Sequence, residues 1–276
     1  MRKLAAMSQA SRPDLPPVNA AQLASASYRL PSLDTDFLLG GSMRGTRFML
    51  EFDKADEILR AFGVSSTLVV FGSARVREDG PAPQAAWYRA ARAFAKLASQ
   101  QGGAIRASGE RRHNVIATGG GPGIMEAANR GATDAGAVSI GFNISLPSEQ
   151  EPNAYSTPDL TFRFHYFAMR KMHLAMRANG LVVFPGGFGT LDELFELLTL
   201  RQTNKSPPIP IVLFDEAYWR SIIHFEGLAA AGMIDPRDLK LFRFAETPDE
   251  VWTKLIEGGV RAGAEPLWAA ESDIRV

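Results

Sequence analysis

Over residues 47–62 the apolar side chains Phe48, Phe52, Ala55, Ile58, Leu59 and Phe62 recur at helical spacing, which predicts a helix with one buried face. The period then changes. Thr67–Phe71 is a short β-branched run closed by Gly72 and Ser73, and a helix follows with Trp87, Ala90, Ala91, Phe94, Leu97 and Ala98 on one side. The alternation repeats to the end of the chain. Strands are expected at 114–118, 137–142, 160–165, 180–184, 209–214 and 242–245, and helices at 124–135, 166–178, 189–202, 217–230 and 249–257. Short, continuously apolar strands between amphipathic helices belong to a parallel sheet buried on both faces. The pattern predicts an α/β fold: one doubly wound, Rossmann-like parallel sheet over residues 64–260, with helices on both faces.

Two flanking pieces remain. Residues 1–63 form an N-terminal arm, rich in Ala, Ser and Pro up to about residue 45 and ending in the first helix. The arm is expected to pack on the domain or on a partner subunit. Residues 261–276 form a short tail.

Composition narrows the chemistry. With 46% hydrophobic residues the chain has ample material for a core. Thirty Lys and Arg balance thirty Asp and Glu, and a net charge of zero argues against nucleic-acid or anionic-membrane partners. Cysteine is absent, which removes thiol nucleophiles, thiolate zinc sites, iron–sulfur clusters and disulfides, and fits a reducing cytoplasm. The apolar run from Leu4 to Met7 is too short for a signal-peptide core, and no stretch reaches the roughly 20 apolar residues of a membrane span. His113 and His173 lack acidic or histidine company, so no metal is expected. The chain reads as cytoplasmic.

Ligands of doubly wound sheets sit beyond the carboxyl ends of the strands, where loops enter helices. Three such loops here are glycine-rich: Gly72-Ser73-Ala74-Arg75, Gly119-Gly120-Gly121-Pro122-Gly123 and Pro185-Gly186-Gly187-Phe188-Gly189-Thr190. Glycine lets the backbone approach a ligand, and the helix behind it supplies a partial positive charge, a combination suited to phosphate. One such loop is explained by turn geometry; three in one sheet point to a nucleotide or another phosphorylated ligand. Neither the dinucleotide fingerprint nor the Walker pattern fits, because Ile124 and Glu126 stand where glycines would be required and no Gly-Lys-Ser/Thr sequence occurs.

The stretch 165–196 is the most specific in the chain. It joins a helix bearing Arg170 and Lys171 to a buried strand, the third glycine loop, and a helix bearing Asp192, Glu193 and Glu196. Pro185-Gly-Gly-Phe-Gly-Thr-Leu-Asp-Glu193 resembles the PGGxGTxxE marker of the LOG (LONELY GUY) family, often labelled "possible lysine decarboxylase". The upstream Arg170-Lys171 pair and the loop Gly119-Gly-Gly-Pro-Gly-Ile-Met125-Glu126 resemble that family as well. The resemblance covers roughly residues 64–260. It departs from short members in having Phe167-Ala-Met before Arg170 and a long N-terminal extension, as in a longer bacterial branch.

The resemblance implies a phosphoribohydrolase that splits the N-glycosidic bond of a nucleoside 5′-monophosphate, such as AMP or a cytokinin riboside monophosphate, into free base and ribose 5-phosphate. It implies no cofactor, and a homodimer or larger homo-oligomer. Arg170 and Glu193 are then the catalytic pair. Gly186, Gly187, Gly189 and Thr190 would hold the phosphate, Gly120, Gly121 and Met125 would face the base, Ser73 and Arg75 would lie near the rim, and Lys171 would also bind phosphate or substrate. A lysine decarboxylase would need a pyridoxal Schiff-base lysine, and nothing marks Lys171 as one. The alternative function is a carrier of a phosphorylated ligand without turnover, like molybdenum-cofactor carriers.

Each residue also has a plainer role open to it. Thr190-Leu-Asp-Glu193 is a capping box in which Glu193 ties down the helix start. Arg170 suits a surface ion pair, Met125 suits packing under its loop, and Arg75 suits a solvated cation. His165 and Tyr166 fit a structural role at the strand end as well as ligand contact.

Overall fold

The computed structural model describes residues 18–107, 109–146 and 151–266. The extreme N-terminal run and the last ten residues of the tail lie outside the described residues. The chain divides into two compact units at Met49 and Leu50.

The first unit is a succession of short helical turns, including α1 (Ala20–Ala24) and α2 (Thr35–Leu39). Asp34 caps α2 by accepting the Phe37 N–H at 3.2 Å, and the Arg47 guanidinium donates to the carbonyls of Leu38 and Gly40 at 2.7 Å. The long helix α3 (Arg44–Ala61) starts in this unit and runs into the second.

In the second unit strands and helices alternate as β1 (Thr67–Phe71), α4 (Ala82–Gly102), β2 (Val115–Thr118), α5 (Ile124–Asp134), β3 (Ser139–Ile144), β4 (Thr161–Phe164), α6 (Phe167–Met176) and β5 (Ala178–Val183). They continue as α7 (Phe188–Gln202), β6 (Ile211–Phe214), α8 (Glu216–Ile222), α9 (Phe225–Ala230), β7 (Arg243–Ala245) and α10 (Pro248–Glu257). The seven strands form one all-parallel sheet in the order β4-β3-β2-β1-β5-β6-β7. This is the doubly wound α/β architecture expected from the alternation.

Strand side chains alternate between the two faces, and both faces are covered. On β1, Leu68 and Val70 pack under α4, α5 and α10 with Tyr88, Phe94, Ile124 and Leu255. Val69 and Phe71 point the other way, into a core with Leu59 of α3, Leu174 of α6, Leu194 of α7 and Trp219 of α8. Double coverage is the reason the strand sequences are continuously apolar.

One expected element is divided. The spacing over 217–230 predicts a single helix, whereas the chain turns out at Ile223, whose φ of −132° and ψ of 120° are extended, and restarts as α9. Ser221, Ile222 and Ile223 are indifferent helix formers. The His224 ring then folds over Gly227, where a Cβ would lie 2.6 Å from its Nδ1.

Within the second core His173 is 1% exposed, between Phe52 at 5.1 Å, Phe164 at 5.5 Å and Phe142 at 6.1 Å. Neither ring nitrogen reaches a partner in normal hydrogen-bond geometry. Burial pushes its pKa down, the Arg177 cation adds to this, and Asp56 and the Phe52 backbone offset only part. The folded state therefore holds this ring neutral while the unfolded chain protonates it near pH 6.5. Stability is expected to be intact above that pH and to fall as pH drops from about 6.5 through the lower folded value. In His173→Phe, which keeps the aromatic packing, urea titrations at pH 7 and pH 5 should show a smaller acid loss than in the parent.

Candidate active site

The strand order reverses between β1 and β5, because the chain steps outward from β1 through β2, β3 and β4 and then returns to the other side of β1. Such a switch point opens a crevice at the carboxyl end of the sheet. The three glycine loops leave β1, β2 and β5 around it, and main-chain bonds seam them together. Ser73 N–H donates to the Pro185 carbonyl at 3.0 Å, and Ile124 N–H donates to the Ser73 carbonyl at 3.1 Å.

The third loop feeds α7, whose N-cap is Gly187. The amides of Phe188, Gly189 and Thr190 occupy the first turn, where a helix has no acceptors of its own for them. Gly187, Phe188 and Gly189 are exposed, so this turn opens to solvent with its donors outward. Gly186 is required by close approach, since a Cβ there would fall 2.6 Å from the Cβ of Thr190. From the other side the Tyr218 hydroxyl donates to the Gly186 carbonyl at 2.8 Å. Tyr218 is held in turn by Asp215, which accepts its N–H at 2.9 Å and the Trp87 Nε1–H at 2.8 Å.

Thr190 is the third residue of α7, not its N-cap, so the capping-box arrangement does not form. Glu193 lies one turn further in, and its Oε1 accepts from Arg170 Nη2 at 2.7 Å. Helix side chains tilt toward the N-terminus, so this carboxylate leans toward the open first turn. Glu193 is 5% exposed. Burial raises its pKa above the ordinary glutamate range, and the Arg170 and Lys171 cations pull it back only in part. The Arg170 guanidinium stands over the Phe167 ring at 5.1 Å, and its Nε is buried with no hydrogen-bond partner.

The second glycine loop meets the same pair. A Cβ on Gly119 would lie 2.9 Å from Met125 Sδ and 3.9 Å from Arg170 Nη1, so Met125, Gly119 and Arg170 share one neighbourhood. Gly120 has φ of +71°, a left-handed conformation in which a side chain is strained, and its Cα faces the Asn143 amide. Asn153 Nδ2 donates to the carbonyls of Gly120 at 3.1 Å and Gly121 at 3.0 Å, locking the loop.

The structure thus gathers Arg170, Glu193, Gly119 and Met125, and joins to them through the loop seams Ser73, Gly120, Gly121, Gly186, Gly187, Gly189 and Thr190. Arg75 is exposed on the flank, in a cleft of about 970 Å³ lined also by Arg77, Glu78, Tyr88 and Glu126. The Lys171 ammonium is engaged by Asp192 at 2.8 Å and Glu196 at 2.9 Å. Burial lowers its pKa, but these two carboxylates outweigh burial and hold it above the ordinary lysine value. His165 and Tyr166 present their backbone N–H groups to the Glu51 carboxylate. Among the described residues no group of three His, Asp or Glu side chains is arranged to hold a metal ion, and no helix is long and apolar enough to cross a membrane.

Sequence reading missed the residues that line or support the loops, Asn143, Asn153, Asp215 and Tyr218, and Glu51 at the entry to α6. Only Asp215 left a trace, as an acidic residue between a strand and a helix.

The family model described as "possible lysine decarboxylase" matches residues 125–255. The chain is 27% identical over 151 residues to the probable cytokinin riboside 5′-monophosphate phosphoribohydrolase LOG4 of Oryza sativa subsp. japonica, covering 54% of this chain and 64% of the relative. It is 27% identical over 169 residues to the cytokinin riboside 5′-monophosphate phosphoribohydrolase LOG3 of Arabidopsis thaliana, covering 59% of this chain and 77% of the relative. The match thus spans somewhat less than two thirds of the rice protein. The molybdenum cofactor binding protein of Rippkaea orientalis superposes with a TM-score of 0.47 at 20% identity, over 70% of this chain and 96% of that one. The family-model match includes the third glycine loop and Glu193, and the relatives bear out the resemblance to the LOG family.

Proposed function

We propose that the chain hydrolyses the N-glycosidic bond of a nucleoside 5′-monophosphate, releasing the free base and ribose 5-phosphate. The observation that carries this reading is the buried Arg170–Glu193 pair, one helical turn inside an open, donor-lined helix start. A 5′-phosphate bound to the amides of Phe188, Gly189 and Thr190 puts its sugar beside Glu193, given the 5.4 Å pitch of the helix. As the C1′–N bond breaks, positive charge develops on the sugar, and a carboxylate on that side stabilises it. Water attacks C1′ and passes a proton to Glu193, and the departing nitrogen takes up a proton from solvent. Arg170 keeps Glu193 ionised.

A carrier needs no buried carboxylate beside the sugar, and this favours hydrolysis over the carrier reading. The decarboxylase label fits poorly. A Schiff-base lysine must shed its proton, and Lys171 is held as a cation by two carboxylates. The enzyme acts in the cytoplasm as a homo-oligomer.

The test is a panel of nucleoside 5′-monophosphates, AMP and N6-substituted analogues among them, followed by chromatography for free base and ribose 5-phosphate. Release of both from at least one member is expected; binding without release from any would favour a carrier. Gly186→Ala forces the third loop off Thr190, so ribose 5-phosphate is expected to bind at least tenfold more weakly by calorimetry, with circular dichroism unchanged.

A further inference from the structure

We propose that Glu51 is a positioning residue for Arg170, acting through the first turn of α6; this rests on Arg170 and Glu193 being the reacting pair. The start of α6 has no cap of its own, since Tyr166 at the N-cap position offers no side-chain hydrogen bond to it. Helix starts leave backbone donors in need of acceptors. Here one carboxylate from α3, distant in sequence, binds the two residues that lead into the helix: Glu51 Oε1 accepts the His165 N–H at 2.9 Å and Oε2 the Tyr166 N–H at 3.2 Å. Charge-assisted bonds of this kind exceed neutral ones, and a negative group at a helix N-terminus is favoured by the helix dipole.

Tyr166 is also the residue on which Arg170 hangs, because the Arg170 N–H donates to the Tyr166 carbonyl at 3.2 Å. A chain of contacts therefore runs from Glu51 to Tyr166, to the Arg170 backbone, and on to Glu193 at 2.7 Å. Two further ties join α3 to α6 and its exit: the Phe52 ring against His173, and Asp56 Oδ1 against Arg177 Nη2 at 2.5 Å. Those hold the middle and the far end. Glu51 holds the two residues that lead into the turn carrying Arg170. Reacting groups misplaced by about 1 Å cost on the order of a hundredfold in rate, so a loosened first turn reaches the chemistry while the fold survives.

Glu51→Ala, Glu51→Gln and, as a control for destabilisation alone, Asp56→Asn are compared with the parent. The first readout needs no turnover: carbon-13 titration of the Glu193 carboxyl, assigned by its loss in Glu193→Gln. In Glu51→Ala the guanidinium is less firmly held, and the Glu193 titration is expected to move to higher pH; in Asp56→Asn it stays. The second readout is kinetic. Glu51→Ala is expected to lower kcat about tenfold or more with KM within twofold, and Glu51→Gln, which keeps an acceptor, to recover part of the loss. If Glu51→Ala does not fold, the same shift of smaller size is required of Glu51→Gln. A lowered Tm with the Glu193 titration and kcat both unchanged would overturn the proposal. If the parent hydrolyses no nucleotide, the functional reading fails, and the titration still decides the role of Glu51.

Discussion

Replacement of Glu193 by glutamine is expected to lower kcat by about a thousandfold or more, the scale typical of a lost electrostatic catalytic group, while AMP still binds and Tm is unchanged or slightly higher. Both halves come from the same burial. Loss of the negative charge removes stabilisation of the cationic sugar and the acceptor for the proton of water. Stability moves the other way. Burial raises the folded pKa of Glu193 above its unfolded value, so between those two values the unfolded chain is ionised while the folded one is protonated. Stability is therefore lost as pH rises through that window, and remains lost at neutral pH. Glutamine has the shape of the protonated acid and does not carry this cost, as at other sites where function opposes stability. Calorimetric unfolding and timed base release on the same preparation check the pair of outcomes. Full turnover in the variant would remove Glu193 from the mechanism. A large fall in Tm would assign it to holding the fold.

The sheet was legible because each strand carries a two-sided apolar run between helical periods, and Thr67–Phe71 has the expected bounds. The switch point was not, because strand order depends on which neighbours the strands choose, and Val69 contacts both Ala117 and Leu181 without any local sign of either. The Thr190-to-Glu193 spacing allowed a cap and a catalytic group alike. The start of the helix removes the capping box: Phe188 begins it, Thr190 is already inside, and Glu193 turns to Arg170. Glu51 was invisible for a different reason. A half-buried acid on an amphipathic helix looks like any solvated charge until the fold brings the backbone amides of His165 and Tyr166 against it. The break between α8 and α9 shows the same limit on a smaller scale, because periodicity carries through Ile223 while the backbone does not.

Replacement of Arg170 by alanine is expected to cost about a hundredfold or more in kcat/KM at pH 7, and to differ from Glu193→Gln in its pH dependence. In the parent, burial pushes the Glu193 pKa up and Arg170 is the foremost of the two cations that oppose it. Without the guanidinium the carboxyl has only Lys171 nearby, and that ammonium is bound to Asp192 and Glu196. A buried carboxylate deprived of its partner takes up a proton rather than remain charged. The acid limb of the kcat/KM profile, which follows ionisation of Glu193, is therefore expected to shift to higher pH, with part of the activity returning in alkaline buffer. Glu193→Gln has no such group to ionise and stays inactive at every pH. Arg170→Lys should lie between the parent and Arg170→Ala, since a lysine supplies charge but lacks the rigid planar guanidinium whose Nη2 meets Glu193. Profiles of kcat/KM from pH 5 to 9 for the three variants separate the two duties. An activity loss with the acid limb unmoved would mean that Arg170 serves the substrate directly and that Glu193 holds its charge without it.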